Sequence, residues 1–94
     1  MRAEVIVGSG RVRVVVHGRN YCNRDDAARA LRACGGHVIP ARSHGRDVQR
    51  WEGWAIGGDA DRAAAQLRAD GYDVAVSAQV VSIARAVHRI EQAA

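Results

Sequence analysis

The stretch DDAARALRACGGHVIPA, residues 25–41, returns 36 residues later as DRAAAQLRADGYDVAVS, residues 61–77. Laid over each other without a gap, the two agree at eight of seventeen positions. Asp25 meets Asp61, Ala27 meets Ala63, Ala28 meets Ala64 and Leu31 meets Leu67; Arg32 meets Arg68, Ala33 meets Ala69, Gly35 meets Gly71 and Val38 meets Val74. Each copy reads as a helix, a glycine stop and a strand. In the first, Ala27, Leu31 and Cys34 recur at helical spacing, and Gly35 supplies a cheap left-handed helix end. Ala63, Ala64 and Leu67 do the same in the second, which Gly71 closes. Asn23 is the expected N-cap of the first helix, over residues 24–34, and Asp59 that of the second.

Working outward, the β-branched runs at residues 4–7 and 12–16 are separated by Gly8-Ser9-Gly10, which predicts a hairpin or a strongly bent strand. Residues 37–41 form a short strand, 42–49 a polar turn and 50–56 the returning strand, with a further strand at 72–76. Ser77 is placed to cap a final helix in which Val80, Ile83, Ala84, Val87 and Ile90 repeat at helical spacing. The order is β-α-β twice, within one domain spanning residues 1–94. This α+β pattern resembles the ferredoxin-like split βαβ repeat (β-α-β-β-α-β), an antiparallel sheet covered on one face by two helices. The extra N-terminal strand or hairpin and the C-terminal helix depart from it. If residues 4–7 pair with 12–16, they take a place which that fold gives to another strand.

Ninety-four residues suffice for one core without metal or disulfide support. The apolar fraction, 48%, is mostly Ala and Val, with no Phe, so the core must be thin. All fourteen basic side chains are Arg and the net charge is +4. Absence of Lys fits the codon usage of a high-GC bacterium or its phage, but it does not say where the charge sits. The short apolar run at residues 5–7 is unlike a signal peptide, and nothing approaches the roughly 20 apolar residues of a membrane helix. Two cysteines read as free thiols. A cytoplasmic location without a membrane partner is expected.

Charge gathers in two places. Residues 1–24 hold Arg2, Arg11, Arg13, Arg19 and Arg24 against Glu4; residues 42–50 hold Arg42, Arg46 and Arg50 against Asp47. In a split βαβ arrangement the loop at 18–24 and the turn at 42–49 leave one end of the sheet, where the first helix begins and its amide donors favour anions. Arg19, Tyr21, Arg24, Arg42, His44 and Arg46 then form a binding rim, although Asp25 and Asp26 oppose an anion there. The loop at 18–23 is also longer than its counterpart Gly57-Gly58-Asp59, and loops on rigid scaffolds often carry function. Trp51 and Trp54 point to opposite faces of their strand. One is expected in the core and the other, Trp51, on the uncovered face near Arg13 and His17, as a stacking platform.

Catalytic signals are weak. Cys22, Cys34, His37 and His44 match no standard zinc spacing, and Cys34 reads as a small core hydrophobe. No phosphate-cradling glycine motif occurs, the serines lack a triad pattern, and carboxylates do not pair for acid–base work. No metal or cofactor is expected. The sequence therefore points to a small non-enzymatic binding module or regulator, contacting an acidic protein surface or nucleic acid. The alternative is a self-associating structural domain, a homodimer closing its uncovered sheet face. A third reading is a cysteine-dependent enzyme using Cys22 with His17 or His44.

Overall fold

The computed structural model describes residues 1–18, 22–44 and 47–78, with Cys22, His44 and residues 47–49 described in their backbone alone. Ser9 and Gly10 both take positive φ, 53° and 72°. That is the two-residue turn whose twist matches its flanking strands, so the chain opens with a hairpin of β1 (Arg2–Gly8) and β2 (Arg11–His17). Then follow α1 (Cys22–Cys34), β3 (His37–His44), β4 (Asp47–Ile56), α2 (Ala60–Ala69) and β5 (Asp73–Ala78).

The five strands form one mixed sheet in the order β3-β4-β2-β1-β5, antiparallel except for the β1–β5 pair. This differs from a simple split βαβ arrangement, which would set β2 beside β5. The hairpin accounts for the change: β1 pairs with its chain neighbour β2 along one edge and with β5 along the other. The N-terminal strand β1, extra to the split βαβ pattern, is therefore an interior strand between β2 and β5.

Both helices cover one face, α1 over β2, β3 and β4, and α2 over β1 and β5. Between them lie Val5, Val12, Val14, Val16, Leu31 and Leu67, almost without solvent exposure. Small residues allow the close fit. A Cβ on Gly53 would come within 2.7 Å of Leu31 Cδ1 and 3.0 Å of Ala41 Cα, so β4 passes under α1 only as glycine. The 36-residue spacing carries into the helix ends, where Gly35 and Gly71 take φ of 84° and 92°. After α2, Tyr72 N–H donates to Leu67 C=O and Gly71 N–H to Arg68 C=O, both at 3.0 Å, the Schellman closure.

Four local expectations need correction or limits. Asp59 does cap α2, its side chain accepting from Asp61 N–H, but Asn23 does not cap α1. It lies inside the first turn, fully buried, because its carboxamide is drawn inward to Tyr72. Residues 42–44 and 47–49, expected in a polar turn, belong to β3 and β4. Main-chain pairing, as in Arg42 with Glu52 and Ser43 with Trp51, carries the ladder through polar side chains. Ser77 lies within β5, and the expected helix over Val80, Ile83, Ala84, Val87 and Ile90 lies outside the described residues. Among those described, no helix is long and apolar enough to cross a membrane.

Candidate functional site

Strand alternation sorts side chains between the helix-covered face and the far face of the sheet. On β2 the core takes Val12, Val14 and Val16, leaving Arg11, Arg13, Val15 and His17 on the far side. On β4 the small Gly53 and Ala55 lie under the helices. Trp51 shares their parity and packs against the core, while Arg50, Glu52 and Trp54 point to the far face. The expectation of Trp51 on the uncovered face is thus reversed. The two tryptophans do oppose each other, but Trp51 takes the helix-covered face and Trp54 the far one. Gly53 carried the missing signal, since an added side chain there would meet Leu31.

Register builds the far face in rows. One runs Ile39, Trp54, Arg13, Ile6 across β3, β4, β2 and β1. The next runs Arg42, Glu52, Val15, Glu4, and the third Arg50, His17, Arg2, Asp73. Glu52 takes Arg13 at 2.7 Å and Arg50 at 3.6 Å. His17 Nε2 stands 3.6 Å from Glu4. Arg13 and Arg50 each keep a buried Nε without a hydrogen-bond partner. Beside Trp54 lies a groove of about 440 Å³, lined by Arg11, Ile39, Arg42, Ser43, Glu52 and Trp54. Arg11 and Arg42 are exposed and make no ion pair among the described residues.

Charge divides unevenly between the two faces. The helices and the α2 cap hold Arg24, Arg29, Arg32, Arg62 and Arg68, matched in number by Asp25, Asp26, Asp59, Asp61 and Asp70. The far face holds Arg2, Arg11, Arg13, Arg42 and Arg50 against only Glu4, Glu52 and Asp73. Among the described side chains, the excess of arginine over carboxylate therefore belongs to the far face.

The expected rim is partly visible. The last residue of β2, the start of α1 and the last residue of β3 do share one end of the sheet, since β2 and β3 are both antiparallel to β4. Arg24 lies over the Trp51 ring, 5.8 Å from its centroid, on the helix side. Arg42 is on the other side, so the structure does not unite it with Arg24. His44 closes β3; Arg19, Tyr21 and Arg46 lie outside the described residues. Sequence reasoning missed Trp54, Arg13 and Arg50 as neighbours, because their meeting depends on the β2–β4 register.

A second groove of about 340 Å³ lies between α1 and β3, with Arg24 and Arg32 flanking Ala28, Val38, Pro40 and Ala41. Cys34 is a buried free thiol. Its burial pushes the pKa up, against a smaller lowering by the Asp59 backbone amide. Among the described residues no three His, Cys, Asp or Glu side chains come together as a metal site would require.

No family model, no curated protein and no solved structure matches the chain.

Proposed function

We propose that the protein is a small binding module without catalysis, which acts by holding a polyanionic partner against the far face of its sheet. The observation that carries this reading is the partition of charge among the described residues: balanced arginine and carboxylate on the helix side, and surplus arginine on the far side. Arg11 and Arg42 supply charge that no described carboxylate neutralises, and guanidinium groups bind phosphate and carboxylate in matched pairs of hydrogen bonds. An acidic protein surface and a nucleic acid both present such groups. Of the rim expected from Arg19, Tyr21, Arg24, His44 and Arg46, Arg24 over Trp51 lies on the helix side and forms no part of this far-face reading.

Heparin affinity tests it with a control of equal charge. The pair Arg11→Ala and Arg42→Ala is expected to elute at distinctly lower salt than the unaltered chain. Arg62→Ala with Arg68→Ala removes the same charge from α2 and should shift elution much less. Equal shifts for the two pairs would mean that heparin reads only net charge, and the far face would lose its standing as a site.

One observation favours the second reading, a self-associating domain. The outer edge of β3 is blunted by Pro40 and a register break between Ile39 and Arg42, as edge strands commonly are. The other edge strand, β5, has neither device among residues 73–78, and Val76 is 44% exposed there.

A further inference from the structure

We infer that the polyanion taken by the far face is single-stranded nucleic acid, with one base stacked on Trp54 and neighbouring phosphates on Arg11 and Arg42. This deepens the binding reading above and rests on it. The far face offers more than charge. Among the described residues, Trp54 is the far face's aromatic side chain, set in register between Ile39 and Arg13, with Ile6 completing an apolar-edged row. An acidic peptide or a sulfated chain can be held through the arginines alone and does not require an indole ring at that position. A base can use one: stacking on an aromatic side chain is sequence-tolerant, because every base has a π-face.

The groove fits this use. Its volume of about 440 Å³ lies within the range of ligand-binding clefts, and its lining mixes one ring, one aliphatic side chain and four polar ones. Trp54 and Ile39 supply the apolar surface, and the Glu52 carboxylate offers hydrogen-bond acceptors for a base edge. Glu52 is the one carboxylate of that lining, and Arg13 at 2.7 Å and Arg50 at 3.6 Å offset its charge. It therefore does not repel the backbone as a free carboxylate would. Arg11 and Arg42 border the same groove. Bases paired inside a duplex cannot reach an aromatic platform, so the geometry selects single strands.

Fluorescence anisotropy of a labelled twelve-nucleotide oligouridine tests the inference, beside a duplex of equal length, heparin and a poly-glutamate peptide. Trp54→Ala and Trp54→Leu are expected to weaken oligouridine binding about 5- to 150-fold, the span of one stacked base. Trp54→Phe keeps a ring and should stay within a few-fold of the unaltered chain. Heparin binding should be indifferent to all three. Arg11→Gln with Arg42→Gln should flatten the salt dependence by about 1.4 in log–log slope, two phosphates at the single-strand value. Trp54→Leu exists to cover the case in which Trp54→Ala fails to fold. Oligouridine affinity unchanged in both would overturn the inference. Binding of poly-glutamate without oligouridine would also overturn it, putting an acidic protein in the nucleic acid's place while the charge reading stands. Failure to bind any of the four probes would remove both.

Discussion

Tyr72 carries one hydroxyl proton, yet its oxygen stands 2.8 Å from Asp26 Oδ2 and 2.9 Å from the Asn23 carboxamide oxygen, whose Nδ2 is left buried and unpartnered. One proton cannot serve two acceptors. Turning the carboxamide, whose two ends are assigned from the hydrogen-bond network, lets Nδ2 donate to the tyrosine oxygen while the hydroxyl donates to Asp26. Asp26 also accepts from Arg29 at 3.2 Å, and Arg29 reaches Asp70 at 2.9 Å. That last hydrogen bond and the charge of Asp70 chiefly hold the guanidinium pKa up. This chain of groups ties the start of α1 to the end of α2. Tyr72→Phe should therefore cost about 1.5–3 kcal/mol, as for a hydrogen bond to a charged group, read as a lower urea midpoint with unchanged m. Cys34 makes a different prediction. Burial raises its thiol pKa above the ordinary value of 9.0, so the folded state keeps the proton to higher pH than the unfolded chain. Its contribution is whole below that ordinary value and is lost as pH rises through the folded one. In a Cys22→Ser background, unfolding free energy should fall on the alkaline side of pH 9, and replacing Cys34 with Ala should remove that part of the slope. An unaltered slope would dissociate it from this thiol.

At the scale of elements, the two helix–strand copies are legible because they obey local rules. Leu31 and Leu67 sit on the buried stripes, and Gly35 and Gly71 end the helices with the same positive φ. The helices run in opposite directions and are fastened at both ends. Asp59 N–H donates to Cys34 C=O at 2.8 Å at one end, and the Tyr72 group closes the other. The edges of the sheet are less symmetric. β3 is shielded by Pro40 and its register break, whereas β5 presents Val76, 44% exposed, near Val7, 38% exposed, with which it shares the helix side. Self-association through β5 predicts a sedimentation mass that rises with protein concentration. Val76→Lys should abolish the rise, since a lysine on an edge strand opposes further pairing. A mass that stays monomeric at every concentration would leave the second reading without support.

At the scale of the molecule, the described residues of the helix side carry matched charges. The far face carries paired arginines at Glu52, and Arg11 and Arg42 without a described partner. Such an arrangement attracts anions without depending on loop conformation, because every contributing side chain stands on a strand. Ionic strength should weaken any ligand held there, and the heparin and oligouridine measurements both read that dependence.

Composition, the helix stripes, the glycine stops and the hairpin turn were determined by the sequence alone, since each depends on contacts within a few residues. So was the opposition of Trp51 and Trp54, which follows from a period of two. Which of them faces the helices was decided only in three dimensions, by the need to pass Gly53 beneath Leu31. The position of β1 between β2 and β5 was likewise a tertiary outcome. Strand order is a competition among edges that are distant in sequence, and no local pattern records which edge wins. The arginine-bearing groove beside Trp54 depends on both decisions, because β3, β4 and β2 bring together residues from Arg11 to Trp54 through cross-strand register.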